Sequence, residues 1–439
     1  MLTDGKTNFA RGDVEAPELP LEFAPVPKTA SRMPLAEELL GFREFGQPTR
    51  ELSTSFVGAK GELQAVPTFV NEFWTARQRQ ASSLHEISYR ACFKPQLPRF
   101  FIERLTQFGD VVYDPFMGRG TTVVEAALLG RVPFGCDVNP LSTVLTRPRL
   151  RPPFLDDIAE RLRQIDLSSP GELPEDLLVF YHPETLREIS ALKKHLQTRR
   201  DAGSLDAVDE WICLVALNRL TGHSPGFFSV YTLPPNQAVS VKSQLRINAK
   251  RGQVPPRRDV ARLILKKSRI LLRDCDTATR AALAKVAPCS VLLTQSAAGT
   301  PQLPDGSVSL VVTSPPFLDV VDYVTDNWLR CWFLGIEAKS VKLTVPKKMV
   351  EWQAAMTEIF RELRRVLKAG GHVAFEVGEI HGGETKLEET VLTCGTVAGL
   401  QPLLVVINDQ KFTKTANCWG VDNMSKGTNT NRIVVFRKS

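Results

Sequence analysis

The sequence predicts an α/β fold in which a mainly helical domain is inserted into a parallel sheet. Three observations carry this. Between Val111 and Asp137 a strand, a loop, a helix and a second strand follow one another, the unit that builds parallel sheets. From Arg147 to about Ala287 the apolar residues recur at helical spacing instead. From Ser290 onward, short apolar runs alternating with helical stretches return.

Taken in order, residues 1–60 are polar and broken by Pro17, Pro20, Pro25, Pro27 and Pro34, and read as an irregular arm with one short helix around Leu35–Leu40. A helical pattern is expected over Phe69–Gln80, and an amphipathic run over Arg99–Phe108. Gly109-Asp110 turns the chain into the strand Val111–Tyr113. Thr122–Leu129 is a helix closed by Gly130, and Val132–Cys136 is a strand ending at Asp137. Within the insert, helices are expected over Glu184–Arg199, Leu205–Leu220 and Arg258–Lys285. Beyond it, strands are expected at Ser290–Leu293, Val308–Val312 and His372–Glu376, with a helix from Trp352 to Leu367 before the Gly370-Gly371 turn. Val405–Asn408 and Ile433–Phe436 are the closing strands.

With 439 residues, 43% hydrophobic and 23% charged, the chain is long enough for more than one structural unit and ordinary enough in composition to exclude wholesale disorder. The formal charge of +7 is compatible with a polyanionic partner without requiring one. Eight cysteines, none at zinc-knuckle spacing, point to a reducing intracellular setting rather than a disulfide scaffold. Met1–Lys6 lacks the apolar core of a signal peptide, and no apolar run is long enough for a bilayer, so a cytoplasmic protein with no membrane partner is expected.

Two stretches carry chemistry. In Asp114-Pro115-Phe116-Met117-Gly118-Arg119-Gly120-Thr121, the glycines let the backbone bend sharply and approach a ligand. Asp114 and Asp137, closing successive strands, can accept from an amine and from a ribose diol. The dinucleotide fingerprint is absent and no Lys follows the loop, so a nucleoside without phosphates fits best. The second stretch is Ser314-Pro315-Pro316-Phe317. Its prolines fix the backbone so that the Ser314 hydroxyl and nearby carbonyls can accept from an exocyclic amine, while Phe317 can stack on the ring that carries it. The plainer readings of the same residues are a sharp strand-to-helix turn and a Pro-Pro bend with Phe317 in a core.

Together these stretches resemble the amino-methylating DNA methyltransferases that use S-adenosylmethionine. Phe116, Gly118 and Gly120 match that family's cofactor motif, and Ser314 stands where most cytosine-N4 enzymes carry Ser and adenine-N6 enzymes carry Asn or Asp. The resemblance implies a Rossmann-like methyltransferase sheet in two parts, residues 61–146 and 288–439, around a target recognition domain at 147–287, in an α-like motif order. It places Lys94 and Pro95 near the methionine part of the cofactor, Asp137 and Asn139 by the ribose, and Ser296 where relatives carry an acid at the adenine edge.

The activity implied is transfer of a methyl group to the N4 amine of cytosine in double-stranded DNA, with the base flipped out, without a metal, within a restriction-modification system. A cognate restriction endonuclease is a candidate partner, the chain itself being a monomer or weak homodimer, in a nucleoid-associated prokaryotic setting. The other readings are adenine-N6 methylation, RNA base methylation and a non-catalytic nucleic-acid-binding protein. In the insert, Lys193, Lys194, Arg199, Arg200, Lys242, Arg246, Lys250, Arg251, Arg257, Arg258, Arg262, Lys266, Lys267 and Arg269 are candidates to face DNA phosphates, and Ser224–Ser229 is a candidate substrate loop.

Overall fold

The computed structural model describes residues 34–75, 81–89, 92–169, 173–232, 238–316, 323–337, 346, 348–378, 386–409 and 430–439. Its centre is a nine-stranded mixed sheet in the order β1-β2-β8-β9-β7-β6-β3-β4-β5. The strands are β1 (Arg50–Val57), β2 (Leu63–Asn71), β3 (Val111–Asp114), β4 (Val132–Asp137), β5 (Val291–Thr294), β6 (Val308–Thr313), β7 (Leu367–Val377), β8 (Gln401–Asp409) and β9 (Thr430–Arg437). The run β5-β4-β3-β6-β7 is parallel throughout, and β9 enters antiparallel between β7 and β8. The strands β3 and β6 are buried at every residue, as strands covered by helices on both faces must be.

Helices before and within the first half of the sheet are α1 (Leu35–Gly41), α2 (Gln96–Leu105), α3 (Thr121–Leu128) and α4 (Pro140–Leu150). The insert supplies α5 (Leu155–Gln164), α6 (Pro183–Asp201), α7 (Ala207–Leu217), α8 (Val241–Arg251), α9 (Val260–Leu271) and α10 (Thr277–Val286). Later come α11 (Tyr323–Leu334), α12 (Met349–Val366) and α13 (Leu387–Val397). Their starts follow local chemistry: Asp206 caps α7 in a capping box with Asp209, and Asn139 caps α4 ahead of Pro140.

One hydrophobic core joins Val123 and Val124 of α3 and Leu141 and Leu145 of α4 to Trp211 and Ile264 of the inserted helical block and to Phe333 of α11. The helical block therefore shares its core with the glycine-loop unit. A second core, with Phe360 of α12, Phe375 and Phe436, fills one face of the sheet.

Two expectations fail near the N-terminus. The short helix expected around Leu35–Leu40 is there as α1, but the arm also carries the unexpected strand β1, and Phe69–Asn71 end a strand rather than opening a helix. Asn71 then closes the chain against the sheet, its amide donating to Gln47 O at 3.1 Å while Asn408 Oδ1 accepts from Phe73 N at 2.7 Å. The single helix expected over Arg258–Lys285 is two, α9 and α10, because Asp276 caps a new start with a bond from Thr279 N.

Candidate functional site

In an open parallel sheet, ligands bind outside the carboxyl ends of the strands, where the strand order reverses. Here the chain runs β3, β4, β5 toward one side and then returns to β6 on the other side of β3. The reversal lies between β3 and β6, whose carboxyl ends carry Asp114 and Ser314.

The glycine loop is shaped by contact on all sides. Gly118 and Gly120 have φ of 49° and 74°, the left-handed region that a side chain disfavours. A Cβ on Gly120 would collide with the Thr146 side chain of α4, whereas one on Gly118 would meet the Tyr89 ring only at 3.8 Å. Asp137 fixes the loop from the next strand: its Oδ2 accepts from Gly118 N and its Oδ1 from Asn139 N, both at 2.8 Å. Each Asp137 oxygen keeps lone-pair capacity for a further donor. Burial pushes the Asp137 carboxyl above its ordinary value, against these bonds. Asn139 turns its amide toward Tyr89, Nδ2 lying 3.4 Å from the phenol oxygen.

Asp114 is fully buried, and burial raises its pKa to about 7 despite bonds from Thr313 Oγ1 at 2.6 Å and Phe116 N at 3.1 Å. Thr122 Oγ1 donates to Val312 O at 3.0 Å. These two bonds clamp the end of β6 to the glycine loop, so the two predicted mouths are one edge. Pro115 is buried, Phe116 is half-buried, and Thr121 opens α3 with its hydroxyl 3.1 Å from Arg119 Nε.

On the β6 side, Ser314 is half-buried, and its side chain acts against burial to lower the pKa of the Glu376 carboxyl on β7. Burial raises the pKa of Glu376, and Asn431 Nδ2 on β9 donates to its Oε1 at 2.9 Å. The Pro316 carbonyl accepts from Trp352 Nε1 at 3.3 Å, which pins the bend to α12 while Pro315 stays buried. Phe317 lies outside the described residues.

Around the loop runs a frame of buried cations. Arg119 donates to the carbonyls of Ile87 at 3.0 Å and of His85 and Phe93 at 3.5 Å. Arg149 donates to Leu145 O at 2.8 Å, Leu84 O at 3.3 Å and the Arg119 carbonyl, and burial pulls its pKa down to about 9. The Glu125 carboxylate, buried in α3, binds His85 Nε2 at 2.7 Å and Arg99 Nε at 2.6 Å. Burial opposes its charge, but those bonds hold it below the usual carboxylate range. Together they hold residues 83–89 beside the loop. Pro95 is buried at the start of α2, and half-buried Lys94 has its pKa lowered by burial and by Arg119.

Ser296 is exposed, two residues past β5, and its Oγ accepts from Ala298 N at 3.3 Å. The β4–β5 pairing, Asp137 opposite Thr294, puts it beside the Asp137 end of the edge. Sequence reasoning placed Glu376 in a strand without a role, and did not single out Thr313 or Tyr89. For Glu376 a signal was there, a lone acid inside Val373-Ala374-Phe375-Glu376-Val377. Among the described residues no group of three or more His, Cys, Asp or Glu could hold a metal, and no helix is long and apolar enough to cross a membrane.

Many of the insert's cations are occupied. Arg199 bonds Asp209 at 2.5 Å, Arg257 bonds Glu184 at 2.6 Å and Glu188 at 2.8 Å, and Arg200 donates to Leu334 O at 3.0 Å. Lys267 Nζ donates to Glu86 O at 2.6 Å, and Lys193 Nζ lies 4.8 Å from the centre of the Trp332 ring. In Ser224–Ser229, Phe227 and Phe228 are buried, Phe227 under the Arg219 guanidinium at 4.0 Å. The candidate substrate loop thus turns its aromatics inward.

Residues 51–142, from the second residue of β1 into α4, match the DNA methylase family model. The type II methyltransferase M.BsoBI of Geobacillus stearothermophilus is 21% identical over 317 residues, 64% of this chain and 58% of that protein. The type II methyltransferase M.MjaII of Methanocaldococcus jannaschii is 33% identical over 75 residues, 17% of this chain and 14% of that one. The chain therefore spans less than two thirds of the length of these curated relatives. Among solved structures, geranyl diphosphate C-methyltransferase of Streptomyces coelicolor A3(2) superposes at a TM-score of 0.33 with 9% identity, covering 79% of this chain and 77% of that one, too loosely to build on.

Proposed function

We propose that this protein is a DNA methyltransferase that transfers a methyl group from S-adenosylmethionine to the N4 amine of cytosine. The observation that carries the reading is Ser314, on the strand beside that of buried Glu376, opening at the same strand-order reversal as the Asp114–Gly120 loop. The match of residues 51–142 to DNA methylases supports the class. Ser314 supports the base.

The loop fits a nucleoside sulfonium. Gly118 brings the backbone close to the Tyr89 ring with no side chain between, Asp137 keeps acceptor capacity for ribose hydroxyls, and Phe116 and Ser296 would flank the place for the adenine. Asn139 and Thr121 would close the floor of that pocket, and Lys94 and Pro95 its far end. Bound there, S-adenosylmethionine supplies an electrophilic methyl carbon.

The chain's own residues prepare the amine. With its hydrogen turned to Glu376, the Ser314 hydroxyl would present lone pairs to an amine hydrogen, and the Ser314 and Pro315 carbonyls would be left to accept the other. Accepting both hydrogens concentrates electron density on a nitrogen whose lone pair is otherwise delocalised into the ring, and the shared edge supplies proximity. As the N–CH3 bond forms, the S–CH3 bond breaks with its electron pair left on sulfur as a neutral thioether, and one N–H bond of the amine breaks. Its proton passes to Ser314 Oγ while the Ser314 proton moves to Glu376, whose raised pKa suits it to accept. A base paired in a duplex must be flipped out to reach this site. Residues 147–287 would then serve as the target recognition domain between the two parts of the methyltransferase domain.

The test is product identity. Incubation with duplex DNA and isotope-labelled S-adenosylmethionine, followed by digestion to nucleosides, is expected to yield labelled N4-methylcytosine. Label in N6-methyladenine alone would overturn the base assignment, label only in RNA the substrate, and no label the enzyme.

A further inference from the structure

Once the ion pairs and carbonyl contacts are subtracted, the basic residues of the helical block are no longer scattered. On α8, Lys242, Arg246 and Lys250 are exposed, and none is in an ion pair among the described residues. They fall at i, i+4 and i+8, a single stripe with about 6 Å of rise between neighbours. The helix contains no acid, and it docks through amides rather than through an apolar face. Gln244 Nε2 donates to Tyr231 O at 3.0 Å and Asn248 Nδ2 to Val179 O at 2.7 Å. At about 100° per residue those two amides lie roughly opposite the middle of the stripe. The docking thus aims the three cations outward. Arg251, over the Tyr231 ring at 3.8 Å, fixes the far end.

We propose that this α8 stripe seats the phosphate backbone of duplex DNA beside the catalytic edge. The proposal rests on the function proposed above and names the surface that function would use. The stripe begins close to the site in the chain's own connections. Ala238, just ahead of α8, donates its N–H to Asp326 O on α11 at 3.4 Å. From the same helix, Arg330 donates to Ser88 O at 3.0 Å, next to the Tyr89 ring that faces Gly118.

A second exposed stripe, Arg262, Lys266 and Arg269 on α9, is the competing surface. Its Arg269 end opens on a cleft of about 470 Å³ that also holds Asp156 and Asp276. Those acids weaken its attraction for phosphate.

The experiment is a salt titration of the full chain binding a fluorescent duplex of mixed sequence, between 50 and 200 mM salt. Each phosphate contact contributes about 0.9 to the slope of log K against log salt, so Lys242→Gln, Arg246→Gln and Lys250→Gln together should flatten it by about 2.7. The charge-matched set Arg262→Gln, Lys266→Gln and Arg269→Gln should leave the slope unchanged. An unchanged slope in the α8 set, or an equal loss in the α9 set, overturns the proposal. Should the triple variant unfold, Lys250→Gln alone should flatten the slope by about 0.9, and a slope left as in the original chain overturns the proposal equally. Methyl transfer by the unaltered chain separates the two levels. If it labels DNA while the α8 set keeps its slope, the stripe is wrong and the function stands; if it labels nothing, the function itself fails.

Discussion

At the carboxyl edge of the sheet the buried charges are acids, while the frame around it is built mainly on cations, its buried Glu125 being taken up by His85 and Arg99. Asp114, Asp137 and Glu376 are all raised by burial, and each is bonded by only one or two donors, so acceptor capacity remains. The frame is the reverse case. Burial depresses Arg149 to about 9, Arg219 to about 10 and Lys267 to about 8, and the bonds of Arg149 and Lys267 end on main-chain carbonyls. A cation that spends its donors on carbonyls fixes the backbone; an acid with lone pairs to spare can still bind something. The difference separates the residues that would act from those that hold them in place.

The comparison can be broken at either side. Its largest expected effect is at Glu376, where Glu376→Gln should lower kcat roughly 10²- to 10³-fold and leave cofactor affinity within twofold, measured by initial rates and calorimetry. An unchanged kcat would make Glu376 part of the frame. Arg149→Met strands the carbonyls of Leu84 and Arg119 and should cost about 3 kcal/mol in denaturant unfolding. Full stability with lost activity would move Arg149 to the working side.

Asp114 gives the comparison a pH axis. Its folded pKa of about 7 exceeds its unfolded value near 3.9, so the stability it contributes is complete below about pH 4 and is lost as pH rises through 7. Asp114→Asn should therefore gain stability relative to the original chain between pH 5 and pH 8, by on the order of 2 to 3 kcal/mol. A pH-independent difference would show that Asp114 is not held protonated. The smallest effect is at Asp137. Asp137→Asn should raise the cofactor Kd about tenfold, with kcat at saturation largely kept.

Much of this edge was legible because its signals are local. Each of β3, β4 and β6 is an apolar run that ends on a polar residue, and Gly118 and Gly120 lie where the backbone needs positive φ. What the sequence hid was pairing across distance. Ser314 and Glu376 come together because β6 lies beside β7, with Thr313 opposite Phe375.

The strand β2 was obscured by Pro67, which reads as a strand breaker. It is tolerated because Pro67 pairs only with Ser53 of β1, and β8 joins from Thr68 onward. The occupied cations of the insert were equally invisible. The partners of Arg257 and Lys267 lie 69 to 181 residues away, so charge counting overestimates the free positive surface.

The central claim is that Ser314 acts on the amine and does not build the cofactor site. It is tested most directly by Ser314→Ala, with single-turnover methyl transfer to duplex DNA measured beside cofactor binding by calorimetry. Transfer should fall at least 10²-fold while cofactor Kd stays within twofold. Full methyl transfer by the variant, or a loss explained wholly by weaker cofactor binding, would contradict it.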